Sequence, residues 1–191
     1  GVNERGVPGG ATTSMRPGGK RLDIGPIAPD RTLGEMLATG EIDALIGAVR
    51  PDTLDTSPDV ARLFPDYHPL EVEYFRRTGI FPAMHALVIR EELYRQHRWL
   101  GTSLYKACEE AKNRSLAQTR FTGALRFMLP WLTESLEEVQ AVFGSDPWPY
   151  GVAANRRMLD AFNQALVEDG FLAAPLELDE VFVPVEGLTA G

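Results

Sequence analysis

Apolar residues recur along this chain at two different spacings, and each spacing predicts a different kind of secondary structure. The clearest helical spacing begins after residue 98 and predicts a long amphipathic helix. Its apolar positions are Leu100, Leu104, Ala107, Cys108 and Ala111. A second helical pattern runs from Met158 to Leu166 and is closed by Gly170. The C-terminal half therefore reads as largely helical.

Short apolar runs bounded by turn residues predict strands in the other half of the chain. The two best runs are Ile42–Ala48, which ends before Pro51, and Met84–Ile89. A weaker run from Leu22 to Ile27 also predicts a short strand.

Helix ends are marked by capping residues. Thr32 and Glu35 form a capping box, in which each side chain accepts a hydrogen bond from the other residue's backbone amide. This helix should reach about Thr39 and end at Gly40. Ser135 and Glu138 predict a second capping box. Further short helices are expected at 70–77, 91–97 and 179–182, with a loop over 51–69.

A helix followed by glycine and a buried strand is typical of α/β proteins with a parallel sheet, so the expected fold class is α/β. Residues 1–20 are rich in glycine and proline and predict a flexible segment. The chain has 191 residues, a formal net charge of −8 and 44% hydrophobic residues, which suits a globular protein of one domain or two small lobes. No apolar run approaches the roughly 18 residues of a membrane span.

Charge and cysteine content exclude several classes of function. The 19 lysines and arginines form no basic run, so nucleic acid is not an expected partner. Cys108 is the single cysteine and is read as a small buried residue. No His/Cys cluster has metal-ligand spacing, and no glycine-rich phosphate loop or nucleophile elbow is present. No metal or cofactor is therefore expected.

The most promising chemistry lies between Tyr74 and Arg90. A basic helix end with Arg76 and Arg77 precedes Thr78 and Gly79, and an apolar run with one histidine follows. His85 suits proton transfer near neutral pH, although a hydrogen-bonded core histidine is the alternative. The two arginines suit an anionic ligand, although they also favour the helix dipole.

Arg50 is a second candidate, because it follows the predicted strand Ile42–Ala48 and strand ends of open α/β sheets face ligand crevices. Its guanidinium can hold a carboxylate through two parallel hydrogen bonds. A surface arginine is the alternative. Tyr74 is either a core residue or a hydrogen-bond donor. Trp131, Trp148 and Tyr150 suit an aromatic pocket or simple packing between helices.

Several unrelated sequence words, in order, resemble the 4,5-dihydroxyphthalate decarboxylase family. They are RTLGEML from Arg31, GEIDAL from Gly40, VARLFPDY from Val60, YFRRTGIFPAMH from Tyr74, SLYKACEEAK from Ser103, MLPW from Met128 and WPYG from Trp148. The resemblance covers essentially the whole chain from about residue 21. It implies a fold similar to type 2 periplasmic binding proteins, with two α/β lobes. Residues 21–48 would then lie in the second lobe and residues 49–191 would return to the first, with upstream segments of the family absent from this chain.

The resemblance implies decarboxylation of a hydroxylated aromatic dicarboxylate in the cytoplasm, with no cofactor strictly required. The proton would go to the ring carbon that carries the leaving carboxylate. His85 would be the acid/base and Arg50 the carboxylate anchor, with Arg76, Arg77, Thr78 and Tyr74 as further substrate contacts. A homo-oligomer is compatible with the sequence. The alternative is a solute-binding protein that delivers a small organic anion to an importer from the periplasm.

Overall fold

The structure, a computed structural model, describes residues 25–123 and 126–185. All regular elements in these two stretches are helices. They are α1 (Leu33–Ala38), α2 (Thr53–Thr56), α3 (Tyr67–Thr78), α4 (Glu91–Gln96), α5 (Trp99–Arg120), α6 (Leu132–Phe143), α7 (Val152–Glu168) and α8 (Leu178–Val181).

The predicted α/β class is wrong, because residues 25–123 and 126–185 contain no β-strand. Both Ile42–Ala48 and Met84–Ile89 are irregular, and many of their apolar side chains face solvent: Ile46 is 101% exposed and Val88 is 89% exposed. A strand exists only when a neighbouring strand accepts its backbone hydrogen bonds. No described segment takes that part here. The first half of the predicted strand at Leu22–Ile27 and the whole flexible segment 1–20 lie outside the described residues, and residues 25–27 are not a strand.

The predicted helices are largely confirmed. At α1 the capping box is formed: the Glu35 amide donates to Thr32 Oγ1 at 3.1 Å, and the Thr32 amide donates to Glu35 Oε2 at 3.1 Å. Gly40 follows the helix with φ +73°, a left-handed conformation that suits glycine. Helices α3, α4, α5, α7 and α8 also occur where the sequence predicts them. The short helix α2 lies in a stretch that was predicted to be loop.

The second predicted capping box, at Ser135 and Glu138, is wrong. Helix α6 begins one turn earlier, at Leu132, and the Ser135 amide already donates to the Trp131 carbonyl oxygen at 3.0 Å. Trp131 precedes the helix with φ +65° and is 78% exposed. A bulky residue pays a steric cost in this left-handed region. The start of α6 is therefore set by the Pro130–Trp131 turn and not by a serine cap.

The chain divides into two compact units. One contains the described residues of Gly1–Glu71 together with Leu166–Ala173, and the other contains Val72–Ala165 with the described residues of Ala174–Gly191. In the first unit, Thr53 Oγ1 donates to the Gly34 carbonyl oxygen at 3.2 Å and links α2 to α1. The assignment of residues 21–48 and 49–191 to two lobes stays a prediction.

Aromatic side chains hold the second unit together. The Phe75 and Phe143 rings lie 4.5 Å apart between centroids, and Phe81 packs edge-on against Phe143 at 5.1 Å and Trp148 at 5.0 Å. The amide of the buried Asn163 also exchanges two hydrogen bonds with the Leu176 backbone, at 2.8 and 2.9 Å. These contacts join α3, α6 and α7 to the irregular segments that carry Phe81, Trp148 and Leu176.

Candidate functional site

The end of α3 brings together four of the residues selected from the sequence. Arg76 and Arg77 lie in its last turn, and the Arg77 guanidinium stands 5.7 Å from the centre of the Tyr74 ring. The Thr78 hydroxyl donates to the Tyr74 carbonyl oxygen at 2.7 Å and accepts from the Ile80 amide at 3.1 Å. Thr78 therefore shapes the turn, while the arginines and Tyr74 stay exposed.

His85 lies seven residues beyond the end of α3, in the segment between α3 and α4 that has no regular structure. It is exposed and forms no hydrogen bond with another described residue. The core-histidine alternative is therefore wrong. Because no described residue bonds to its ring nitrogens, this exposed imidazole is accessible to a ligand. Phe81, four residues earlier, packs against Phe143 and Trp148.

Arg50 belongs to the other unit, and its guanidinium pairs with the Asp55 carboxylate. Both side chains are more than half exposed, at 53% and 59%. An exposed ion pair of this kind contributes little to stability, about 0–1 kcal/mol. The pair uses one terminal nitrogen of the guanidinium, which leaves other N–H donors of Arg50 for a ligand carboxylate.

A buried polar cluster that was not predicted from the sequence is centred on Lys112 of α5. Its side chain is only 6% exposed, and its ammonium donates to Asp146 Oδ2 at 2.6 Å, Glu109 Oε1 at 2.8 Å and the Trp148 carbonyl oxygen at 3.1 Å. All three N–H donors of the ammonium are thus used. The Tyr150 ring adds a cation–π contact at 4.5 Å. We call these five residues the Lys112 cluster.

Neighbouring groups extend the Lys112 cluster. The Trp148 amide donates to Asp146 Oδ1 at 3.0 Å, so Asp146 holds both the turn and the lysine. The Tyr105 hydroxyl donates to the Tyr150 carbonyl oxygen at 3.3 Å. Glu109 Oε2 is buried and has no hydrogen-bond partner among the described residues. Glu109 also borders a shallow depression of about 510 Å³ along α5.

Two of these groups have a raised pKa. Burial by itself would lower the pKa of Lys112, but its hydrogen bonds and ion pairs with Asp146 and Glu109 outweigh burial and raise that pKa above the ordinary 10.5. Burial, reinforced by the Glu109 charge, raises the pKa of Tyr105 above 10.0. In the folded protein both groups hold their protons to higher pH than in the unfolded chain.

We expect this difference to make the protein lose stability in alkali. The folded state binds more protons once the pH passes the ordinary pKa values of about 10, so the free energy of unfolding falls as pH rises further, by up to about 1.4 kcal/mol per pH unit for each group. Urea unfolding followed by tryptophan fluorescence between pH 8 and 11.5 measures the slope. The Lys112→Met variant should have a shallower slope, and an equal slope in both proteins would contradict the assignment to Lys112.

The structure contradicts the predicted burial of Cys108. Cys108 is exposed on α5, so its prediction as a buried residue is wrong.

No group of three or more His, Cys, Asp or Glu side chains in the described part of the chain is arranged to hold a metal ion. No described helix combines the length and apolar character that crossing a bilayer requires.

Comparison with known proteins identifies a relative. No family model matches the chain. The chain is 36% identical over 159 residues to a 4,5-dihydroxyphthalate decarboxylase of Comamonas testosteroni, a match that covers 82% of this chain and 48% of that relative. The chain thus spans about half the length of the curated relative. The family relationship expected from the sequence is confirmed, and the relative's name gives no support to the solute-binding alternative.

Proposed function

We propose, from the relationship of this chain to the 4,5-dihydroxyphthalate decarboxylases, that the protein acts as a carboxy-lyase on a hydroxylated aromatic dicarboxylate. The observation that carries the proposal is the 36% identity over 82% of the chain. The exposed imidazole of His85 and the cations at the end of α3 are compatible with it, because the reaction needs a proton donor and anchors for carboxylates.

The chemistry needs only proton transfer at the ring. In 4,5-dihydroxyphthalate each carboxylate stands para to a hydroxyl, and electron donation from that oxygen makes the carboxylate-bearing carbon basic. A proton adds to this carbon, the bond to the carboxylate breaks, its electron pair returns to the ring, and carbon dioxide leaves. A base at the para hydroxyl assists the first step.

The residue roles in this proposal follow from charge and exposure. His85 supplies the proton that stays on the ring carbon, and it takes up a new proton from solvent before the next turnover. Arg76 and Arg77 anchor a substrate carboxylate in the unit that contains His85, and the role of Arg50 of the other unit as a carboxylate anchor stays a prediction. Tyr74 offers a phenolic donor beside Arg77, and Thr78 holds the turn that leads from these residues to His85.

A headspace assay for carbon dioxide tests the proposal. We expect the purified chain to release carbon dioxide from 4,5-dihydroxyphthalate and to leave 3,4-dihydroxybenzoate in solution. Phthalate, which has both carboxylates but no ring hydroxyl, should release none because it lacks the electron-donating oxygen. The Comamonas relative is the positive control. No release by this chain under conditions in which the relative turns over would contradict the proposal.

A further inference from the structure

An arginine distant in sequence lies against the end of α3. Gly79 closes this helix in the left-handed conformation, φ +65°, and its amide donates to the Phe75 carbonyl oxygen at 2.6 Å. Arg157 of α7 then donates from Nη1 to the Thr78 carbonyl oxygen at 3.0 Å. The two residues are 79 positions apart, so only the fold brings Arg157 to the turn that follows Arg76 and Arg77.

Arg157 has no carboxylate partner among the described residues of the chain. Five other arginines pair with an acidic side chain: Arg31 with Glu41, Arg50 with Asp55, Arg95 with Glu91, Arg114 with Glu110 and Arg156 with Asp160. Arg76, Arg77 and Arg157 form no ion pair with a described residue. A guanidinium carries five N–H donors, so a single bond to the Thr78 oxygen leaves most of those of Arg157 unused.

Arg76 and Arg77 lie in the last turn of α3, beside the residue that Arg157 contacts. An α-helix rises about 1.5 Å per residue, so the Arg76 and Arg77 backbones lie within about 3 Å, along the helix axis, of the residue that Arg157 contacts. The negative end of the helix dipole offsets part of their repulsion. In a chain of net charge −8, three cations without carboxylates leave a local positive surface that favours an anion.

We propose that Arg157, together with Arg76 and Arg77, forms a carboxylate-binding subsite for an aromatic carboxylate at the end of α3. The identity of the ligand rests on the proposed function, since the dicarboxylate substrate must be held by cations. The Thr78 carbonyl oxygen orients the Arg157 guanidinium. The remaining N–H groups of this guanidinium donate to the two oxygens of the ligand carboxylate. Arg157 would thus be a substrate-binding residue that the sequence analysis did not predict.

Gly79 gives an independent way to disturb the same guanidinium. A Cβ atom at Gly79 would lie 2.5 Å from Arg157 Nη1 and 3.5 Å from Cζ. An alanine there therefore forces the guanidinium away from the Thr78 oxygen, and its φ of +65° adds local strain. Gly79→Ala should weaken carboxylate binding without removing the arginine.

The test is isothermal titration calorimetry of the full 191-residue chain with phthalate, which has both carboxylates and which we expect not to be turned over because it has no ring hydroxyl. We expect Arg157→Ala to weaken phthalate binding by about tenfold or more, as for loss of a charge-assisted hydrogen bond. Gly79→Ala should weaken it in the same direction, and the double variant should be little worse than Arg157→Ala. Arg156→Ala is the matched control, because its partner is Asp160, and should bind phthalate as the unchanged protein does. Circular dichroism verifies that each variant is folded.

The outcomes separate this inference from the proposed function. Unchanged phthalate affinity in Arg157→Ala, or no phthalate binding by the unchanged protein, overturns the subsite whether or not carbon dioxide is released. Arg157-dependent phthalate binding without release of carbon dioxide from 4,5-dihydroxyphthalate supports the subsite and contradicts the decarboxylase proposal. Equal losses in Arg156→Ala and Arg157→Ala also overturn it, because they would reflect general surface charge.

Discussion

Replacement of Lys112 by alanine is expected to lower the free energy of unfolding by about 3–5 kcal/mol. The substitution removes the cation that Asp146 and Glu109 share while both carboxylates stay in place. It also removes the cation–π contact with Tyr150 and the bond to the Trp148 carbonyl oxygen. Urea unfolding at pH 7, followed by tryptophan fluorescence, measures the change.

Two comparisons make this expectation specific to the buried ion pair. Lys106 lies on the same helix, is exposed and has no ion pair with a described residue, so Lys106→Ala should change stability by less than about 0.5 kcal/mol. Removing all three charges together, as Lys112→Met with Glu109→Gln and Asp146→Asn, should recover much of the loss, because no carboxylate is then left unpaired. A Lys112→Ala variant as stable as Lys106→Ala would show that the Lys112 cluster does not stabilise the fold.

The helices were predictable because their signals are local. The Thr32–Glu35 box and the glycines at positions 40 and 170 lie within a few residues of the ends they mark, and all three act as expected. A cap satisfies amides of its own first turn, so no distant contact is needed to form it. The capping box predicted at Ser135 was wrong because a serine followed three residues later by glutamate also occurs inside a helix that has already begun.

The strands were not predictable in the same way. The run Met84–Ile89 has the composition of a strand, but a strand requires a partner elsewhere in the chain, which a local pattern cannot supply. In the structure its Met84, Leu87 and Val88 side chains are 76%, 67% and 89% exposed. Hydrophobicity alone therefore indicated burial that the described fold does not provide.

The site residues also differ in whether their contacts are local or distant in the sequence. Arg76, Arg77 and Tyr74 were found together because one helix turn joins them. Lys112 and Arg157 were missed, since their partners lie 34 and 79 residues away. The one local signal in the sequence is the i,i+3 spacing of Glu109 and Lys112 on α5, and that spacing is typical of a solvated helix face. The burial of Lys112 depends on the distant segment that carries Asp146, and the local sequence around Lys112 does not show that contact.

Replacement of His85 by glutamine is expected to reduce turnover of 4,5-dihydroxyphthalate by about 10²–10⁴-fold, the usual contribution of a general acid/base. Glutamine keeps a polar side chain of similar reach but cannot take up or release a proton near neutral pH. His85 is exposed and bonded to no described residue, so the variant should unfold at the same temperature as the unchanged protein. Carbon dioxide release over a series of substrate concentrations separates kcat from KM.

The pattern of kcat and KM identifies the role. A proton donor acts in the transition state, so His85→Gln should lower kcat and leave KM nearly unchanged. His97→Gln is the matched control: this imidazole is also exposed, and its ring contact is Trp99, at 6.1 Å between centroids, outside the proposed site. A rise in KM with kcat intact would make His85 a binding residue, and full turnover in His85→Gln would remove it from the mechanism.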